Sequence, residues 1–279
     1  MIDSIIDLAL KEDIGSGDHS ALSCVPENAT GHAKLLIKDN GVLAGVELAK
    51  RIFHRYDPDL KIDIHLLDGT NVKVGDIAFE ISGSSRSILA TERLVLNFMQ
   101  RMSGIATKTK AISDLIEGTS ARLLDTRKTT PGIRALEKWA VTIGGGYNHR
   151  FGLYDMIMIK DNHIDYAGGV SAAIQRANDY IKEQSLKLNI EIEVRNENEL
   201  EEVLQQGNVD RIMLDNFTPE QIVKVLPSIP KNIETEASGG IDESNIRAYA
   251  ETGVDFISSG ALTHSVMSLD MSLKAVFNK

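Results

Sequence analysis

The fold of this chain is decided by the stretch IEIEVRNENELEEVLQQGNVDRIMLD, residues 190–215. It begins with IEIEV (190–194) and ends with RIMLD (211–215), two short apolar runs of the kind that form buried strands. Between them, NELEEVLQQ (198–206) is rich in good helix formers. A strand, a helix and a second strand in this order predict two parallel strands joined by a helical crossover.

The same alternation extends in both directions from this unit. Similar runs occur at RLLDT (122–126), DMIMIKD (155–161), IETEA (233–237) and FISSG (256–260). Helix-like segments such as ESNIRAYAET (243–252) separate them. The resulting six to seven strands are too few for a complete eight-stranded barrel. We therefore predict an incomplete (β/α) barrel.

Residues 1 to about 87 have a different sequence pattern, in which a short helix-like segment is followed by strand-like runs. Those runs are AKLLIKD (33–39), GVLAG (41–45), DIHLLDG (63–69) and DIAFEISG (76–83), each bounded by Gly, Asp or Asn. They predict a small α/β or β-rich domain. The segment ILATERLVLNFMQRM (88–102) then predicts an amphipathic helix before the barrel.

The composition excludes several classes of protein. The 279 residues contain 30 Lys and Arg against 40 Asp and Glu, a formal net charge of −10 that argues against a general nucleic-acid binder. The one cysteine, Cys24, excludes an intramolecular disulfide and fits a reducing compartment. No apolar run approaches the roughly 18 residues of a membrane span, and Asp3 and Asp7 stand where a secretory signal carries basic residues. We expect a cytoplasmic protein without nucleic-acid or membrane partners.

Polar or small residues recur at the predicted strand ends, separated by 33, 33, 22, 23 and 22 residues. They are Arg127, Lys160, Glu193, Asp215, Ser238 and Gly260. Parallel strands present their carboxyl ends on one face, and both barrels and open α/β sheets bind ligands there. This face is the predicted active site.

The first cationic motif is DTRKTTPG, in which Arg127 and Lys128 directly follow a strand. Thr129 or Thr130 is the predicted cap of the next helix, with Pro131 in its first turn. Adjacent cations beside a helix N-terminus favour an anion site. The alternative is a pair of solvated surface charges.

Two further motifs add cations. In GGGYNHR (144–150), the glycines favour an amide nest for an anion, and His149 and Arg150 add donors. Lys160 ends an apolar run, which suits an anion ligand or a Schiff-base nucleophile. The alternatives are a flexible loop at the glycines and a structural ion pair of Lys160 with Asp161.

Residues 122–163 as a whole carry seven basic and four acidic residues, a local charge of +3 inside an acidic chain. Such a focus of positive charge indicates a small polyanionic substrate, bearing two carboxylates or a phosphate.

Acidic and glycine-rich motifs follow in the second half of the barrel. Glu193 and Asp215 end neighbouring strands and suit either Mg²⁺ binding or acid–base work, with ordinary ion pairs as the alternative. EASGGID (236–242) and SSGALTH (258–264) come after the last two strands, where barrels often bind phosphate.

These motifs together resemble the quinolinate phosphoribosyltransferase family. The similarity is dense from Thr91 to Ser265, and the motifs follow the family's order. They are TERLVLNFMQRMSGIAT, LLDTRKTTPGIRALEKWAV, GGGYNHRFGLYD, IKDNHI, EIEV, IMLDN, EASGGI and SSGALTHS. The N-terminal EDIGSGDHS resembles the family's opening more loosely.

The resemblance implies a reaction and an assembly. Quinolinate and phosphoribosyl pyrophosphate, with Mg²⁺, would give nicotinate mononucleotide, pyrophosphate and CO₂ in de novo NAD biosynthesis. The implied fold is an N-terminal α/β sandwich domain over residues 1–104 and an incomplete α/β barrel over residues 105–265, with residues 266–279 packing on the first domain. The implied assembly is a homodimer, sometimes within a larger assembly, in which one subunit completes the other's site.

The resemblance also implies roles for residues that match by position. The implied quinolinate ligands are Arg127, His149, Arg150 and Lys160, with Arg93 supplied across the dimer interface. The implied ligands of the phosphoribosyl donor are Lys128, Glu193, Asp215, Ser238, Gly239 and Gly260. The implied catalytic residues are Lys128, Lys160, Glu193 and Asp215, the last two also holding the metal directly or through water.

Three other interpretations stay open. A nicotinate phosphoribosyltransferase or a molybdenum-associated paralogue of the same fold is the nearest, although nicotinate needs fewer cations. A Schiff-base lyase would use Lys160, and a non-catalytic binder would not need Glu193 and Asp215 together. Arg195 departs from the family pattern, where an acidic residue is frequent, and we expect it to alter the charge near Glu193.

Overall fold

The computed structural model describes residues 1–276, and their contacts divide the chain into two compact units. The first unit comprises Met1–Ala111, Thr129–Gly145 and the described residues from Leu262. The second unit comprises Ile112–Lys128 and Gly146–Ala261. The division into domains 1–104 and 105–265 stays a prediction.

The elements of the N-terminal half run from the first helix to the helix after the first barrel strand. They are α1 (Ile2–Ile14), α2 (His19–Cys24), β1 (Thr30–Ile37), β2 (Gly41–Val42), α3 (Val46–Tyr56), β3 (Lys61–Ile64), β4 (Asn71–Val72), β5 (Ile77–Ser84), α4 (Ser85–Leu115), β6 (Arg122–Leu124) and α5 (Arg134–Ile143).

The remaining elements alternate strand and helix before a last strand. They are β7 (Ile157–Ile159), α6 (Asp161–Ala167), α7 (Val170–Glu183), β8 (Ile190–Val194), α8 (Glu197–Gln206), β9 (Arg211–Asp215), α9 (Pro219–Val225), a 3₁₀ turn (Leu226–Ser228), β10 (Glu234–Ser238), α10 (Ile246–Ala250), β11 (Phe256–Ser258), α11 (Ala261–His264) and β12 (Met271–Ala275).

The first unit is built on an antiparallel sheet of four strands in the order β12-β1-β5-β3. Helix α3 packs on this sheet, where the rings of Phe53 and Phe79 meet edge to face at 6.0 Å. Helix α4 is fixed by the buried hydroxyl of Ser103, which accepts from the N–H of Ala44 and donates to its carbonyl. Strand β12 pairs with β1, whereas residues 277–279 of the predicted 266–279 segment lie outside the described residues.

The second unit is built on a parallel sheet of six strands in the order β6-β11-β10-β9-β8-β7. From β7 onwards each strand pairs with the next in the chain, and the last pairs with the first. Within residues 1–276, β6 and β7 alone lack the pairing that would close the ring. The segment after α5 lies beside β6 instead, where Tyr147 bridges Leu124. The predicted α/β fold with an incomplete barrel is confirmed.

The start of α5 differs from its prediction. The helix begins at Arg134, so the expected cap by Thr129 or Thr130 with Pro131 in the first turn is wrong. Gly132, at φ 85, turns the chain before the helix. The N–H and hydroxyl of Thr130 donate to the buried Glu137 carboxylate instead of capping the helix.

Within residues 1–276, no helix is both long enough and apolar enough to cross a bilayer.

Candidate active site

The carboxyl ends of four neighbouring strands carry the predicted polar residues. Lys160 directly follows β7, Glu193 is the penultimate residue of β8, and Asp215 and Ser238 end β9 and β10. Asp215 lies opposite Ser238 in the register of β9 and β10. Parallel pairing therefore places these four residues at one face of the barrel.

Lys160 and Glu193 form the closest charged pair at this face. Their Nζ and carboxylate oxygen are 2.6 Å apart, with the Lys160 side chain 44% exposed and that of Glu193 11% exposed. The lysine therefore pairs with the next strand rather than with Asp161, the alternative partner. His163 takes no part in this pair, since its Nδ1 accepts the backbone N–H of Lys160 at 2.9 Å and so fixes the start of α6.

Asp215 is half-buried beside this pair. Burial and the negative charge of Glu193 raise the pKa of its carboxyl above the ordinary value. The Nδ2 of Asn216 donates to the carboxylate at 2.6 Å. Asp215 and Glu193 together offer an oxygen donor set of the kind that Mg²⁺ prefers.

Arg127 and Arg150 supply positive charge to the same unit. Arg127 is exposed on the loop after β6, and Arg150 is buried with its guanidinium donating to the carbonyl of Met156. Burial, and then the charge of Arg127, lowers the pKa of Arg150. Guanidinium groups whose positive charges are close enough to interact favour an anionic ligand beside them. Lys128 follows on the exposed loop, with its N–H donating to the Thr126 hydroxyl.

His149 faces the interior of the barrel. Its side chain is 4% exposed, and its Nε2 lies 3.0 Å from a carboxylate oxygen of Glu191 and 3.4 Å from one of Glu236. Its backbone N–H donates to the buried Asp125, and its Nδ1 accepts the N–H of Arg150. These bonds fix the backbone that presents Arg150.

Glu191 and Glu236, both fully buried, were not among the predicted site residues. Arg211 completes this interior cluster, with Nη1 at 3.1 Å from Glu236 and 3.9 Å from Glu191. Its guanidinium also lies over the ring of Phe256, 4.1 Å from the centroid. The period of two along a strand places Glu191 on the face of Glu193, which is the sequence signal that points to it.

The charges in this interior cluster balance. The two carboxylates raise the pKa of His149 to about 9, whereas the N–H that donates to Nδ1 favours the neutral ring. Burial and Glu236 raise the pKa of Glu191, so the imidazole and this carboxyl compete for one proton. His149, Glu191 and Glu236 could together ligate a metal ion. Arg211 already supplies the cation that the carboxylates need, and we interpret the cluster as an ion-pair network.

The two glycine-rich turns meet at their serines. The hydroxyl of Ser258 donates to that of Ser238 at 3.2 Å, and Gly239 and Gly240 follow at φ 93 and 61. Gly260 follows β11 at the same end of the sheet. Backbone N–H groups in such turns are suited to phosphate oxygens.

Arg93 and Arg195 are the two remaining residues named from the sequence. Arg93 is exposed on α4 and belongs to the first unit. Arg195 pairs with Glu199 on α8, and also with Asp165 at 3.3 Å. Its positive charge is therefore neutralised by Glu199 and Asp165 rather than by Glu193.

Comparisons with known proteins agree with this architecture. Residues 18–103 match the family model "Quinolinate phosphoribosyl transferase, N-terminal domain", and residues 105–274 match the corresponding C-terminal domain. Quinolinate phosphoribosyltransferase [decarboxylating] 1b of Nicotiana tabacum is 45% identical over 97% of this chain and 81% of its own length. The probable nicotinate-nucleotide pyrophosphorylase [carboxylating] of Bacillus subtilis (strain 168) is 43% identical over 94% and 89%.

Solved structures extend this similarity. The crystal structure of NadC from Streptococcus pyogenes superposes with a TM-score of 0.93 at 40% identity, covering 100% of this chain and 97% of that one. A crystal structure of human nicotinic acid phosphoribosyltransferase shares the fold alone, with a TM-score of 0.64 at 12% identity. Because both family models match and the curated relatives cover nearly the whole chain, the protein belongs to the quinolinate phosphoribosyltransferase family.

Proposed function

We propose that this protein transfers the phosphoribosyl group of phosphoribosyl pyrophosphate to quinolinate, with loss of CO₂, to give nicotinate mononucleotide and pyrophosphate. The proposal rests on one observation: the Lys160–Glu193 ion pair lies close to the Asp215 carboxylate at the carboxyl ends of the barrel strands. That face combines a cation for a carboxylate substrate with carboxylates for a developing sugar cation. Family membership supplies the chemistry that this arrangement serves.

Quinolinate carries two adjacent carboxylates and therefore needs several cations in a small space. Arg127 and Arg150 are suited to bidentate carboxylate recognition. Lys160 would add a third cation and Arg93 a further guanidinium from the second protomer of a homodimer. His149, whose Nδ1 accepts from the N–H of Arg150, would hold Arg150 in place. The pyridine nitrogen is itself the nucleophile, so the protein needs only to hold it against the sugar.

The phosphoribosyl donor would lie along the remaining strand ends. Ser238, Gly239 and Gly260 would hold its 5′-phosphate, and Lys128 its pyrophosphate. As pyrophosphate leaves, positive charge develops at C1 of the ribose, and the carboxylates of Glu193 and Asp215 stabilise it. The ring nitrogen is cationic after transfer, which favours loss of the neighbouring carboxylate as CO₂.

A magnesium ion is part of this proposal. Glu193 and Asp215 fit it by donor chemistry, since a divalent cation would offset the negative charge of Glu193 that, together with burial, raises the pKa of Asp215. They would hold the ion directly or through water, and it would neutralise the leaving pyrophosphate.

Removal of Mg²⁺ is therefore expected to lower turnover by at least about 100-fold, because the leaving pyrophosphate loses its counter-charge. The measurement is the rate of nicotinate mononucleotide formation in EDTA, followed by readdition of Mg²⁺. In the control, Mg²⁺ is added back while EDTA stays in molar excess over the added Mg²⁺, and turnover should stay low. Unchanged turnover in EDTA would contradict the metal proposal while leaving the transfer reaction intact.

The substrate is tested with purified protein, Mg²⁺ and phosphoribosyl pyrophosphate, offered either quinolinate or nicotinate. We expect nicotinate mononucleotide and CO₂ in equal amounts from quinolinate and no product from nicotinate. Nicotinate lacks the second carboxylate and leaves part of the cationic site without its counter-charge. If nicotinate gives product and quinolinate does not, the assignment of the phosphoribosyl pyrophosphate site stands and the assignment of quinolinate as substrate is wrong.

The homodimer, any larger assembly and a cytoplasmic location are also parts of the proposal. The exposed position of Arg93 on α4 supports a role across an interface. The single exposed Cys24 supports a reducing compartment. Several plant relatives carry "chloroplastic" or "mitochondrial" in their names, and cell fractionation decides the compartment of this chain.

A further inference from the structure

Asn216, the residue directly after β9, contacts both ends of the proposed phosphoribosyl pyrophosphate site. Its side-chain Nδ2 donates to the carboxylate of Asp215 at 2.6 Å. A carboxylate only accepts hydrogen bonds, so the amide nitrogen must be the atom that faces it. Its backbone N–H donates to the carbonyl of Ser238 at 2.8 Å, in the neighbouring strand. One residue thus bonds to the ends of β9 and β10.

The other face of the Asn216 amide lies against Gly239. A Cβ on Gly239 would stand 2.3 Å from Oδ1, 2.7 Å from Cγ and 2.9 Å from the backbone nitrogen of Asn216. These separations are far below van der Waals contact. Gly239 also has φ 93, where side chains are strained. The close approach of Asn216 therefore accounts for glycine at the start of the turn.

The backbone of Asn216 is itself in an uncommon conformation. Its φ of 57 is in the left-handed region, which asparagine tolerates better than most residues. Non-glycine residues held there are uncommon and cluster at functional sites. This conformation is the one in which the side chain bonds to Asp215 while the N–H bonds to Ser238.

We propose that Asn216 is a positioning residue that fixes the Asp215 carboxylate relative to the Ser238–Gly239 turn. This inference rests on the proposed function, because it assigns those two groups to the ribose–pyrophosphate end and the 5′-phosphate end of one donor molecule. Asn216 contacts neither quinolinate nor the reacting atoms in this assignment. Its loss should therefore affect the donor and spare quinolinate.

Two variants separate the contacts of Asn216. Asn216→Asp keeps the size of the side chain but replaces the donor to Asp215 by a second negative charge. Asn216→Gly keeps the left-handed backbone and removes the side chain from Asp215 and Gly239 alike. Asn208, at φ 59 on the opposite approach to β9, provides matched controls as Asn208→Asp and Asn208→Gly.

Both Asn216 variants are expected to raise the KM for phosphoribosyl pyrophosphate by about 10- to 100-fold, the range for loss of a hydrogen bond to a charged group. The KM for quinolinate should stay within about threefold, since additive effects hold away from the altered contacts. A second readout is calorimetric binding of ribose 5-phosphate in EDTA, which needs neither turnover nor metal. We expect Asn216→Gly to weaken it by about tenfold, through the displaced Ser238–Gly239 turn.

The outcomes separate the inference from the proposed function. Equal rises in both KM values, or none, would overturn the positioning role, as would identical effects at Asn208. Unchanged ribose 5-phosphate binding by Asn216→Gly would also overturn it. If the unmodified protein fails to convert quinolinate, the proposed function fails, and the calorimetry still tests whether Asn216 shapes a sugar-phosphate site.

Discussion

Replacement of Glu236 by alanine is expected to lower the free energy of unfolding by about 3–5 kcal/mol, the range for breaking a buried ion pair. Glu236 is fully buried and lies between His149 and Arg211, at 3.4 and 3.1 Å. Its removal leaves Arg211, whose side chain is 11% exposed, without the nearer of its two fully buried counter-charges. It also leaves the volume of the missing carboxylate inside the barrel.

The matched control is Glu234→Ala on the same strand. Glu234 also accepts from Arg211, at 2.8 Å, but its side chain is 45% exposed. Its removal should cost no more than about 1 kcal/mol, because water replaces the lost partner. Urea titration followed by circular dichroism measures both variants. If the two losses agree within about 1 kcal/mol, burial of the network is not what stabilises the barrel.

The order of elements in the barrel could be predicted from sequence because it depends on local signals. The strands from β8 to β11 are short segments separated by runs of helix formers, and side-chain caps mark the starts of α8 and α9. Asn196, for example, caps α8 through a side chain that accepts from Glu199. Parallel pairing then follows from the alternation, and the position of Glu193 and Asp215 follows from the pairing.

Features that depend on distant partners could not be predicted. The resemblance implies that residues 266–279 pack on the first domain, but the pairing of β12 with β1, more than 230 residues away, has no local signal in MSLKA. The start of α5 depends on Glu137, which draws Thr130 away from the helix cap and also accepts from Arg101. Gly144 belongs to the same class, since a Cβ there would lie 2.4 Å from the carbonyl of Ala106 on α4.

The interior cluster of His149, Glu191, Glu236 and Arg211 also depends on residues that are distant in sequence. The GGGYNHR motif indicates that His149 adds a donor, and the resemblance implies a quinolinate ligand, but Glu191 and Glu236 hold its Nε2 inside the barrel. Alternation along β8 places Glu191 beside Glu193, yet only the pairing of β8, β9 and β10 brings it to Arg211. A direct bond from His149 to quinolinate stays a prediction.

Lys160→Met is expected to lower kcat/KM for quinolinate by about 100- to 1000-fold, the range for losing one preorganised electrostatic group. Methionine has nearly the length of lysine but leaves Glu193, 2.6 Å away in the original pair, without its cation. The nearby charges at Glu193 and Asp215 would then repel a dicarboxylate substrate. Lys160→Arg keeps the charge and should recover part of the activity, although its planar geometry differs from that of an ammonium.

The matched control is Lys182→Met, an exposed lysine in the last turn of α7. This turn leads into β8 and so lies toward the amino end of that strand, and the variant should leave kcat/KM within about twofold. Steady-state kinetics with quinolinate as the varied substrate measures all three variants. Borohydride added during turnover should trap no covalent adduct, because the pyridine nitrogen, and not the Lys160 amine, attacks the sugar. A loss below about tenfold in Lys160→Met would remove Lys160 from the site. A borohydride-trapped adduct that disappears in the same variant would instead assign it to Schiff-base chemistry.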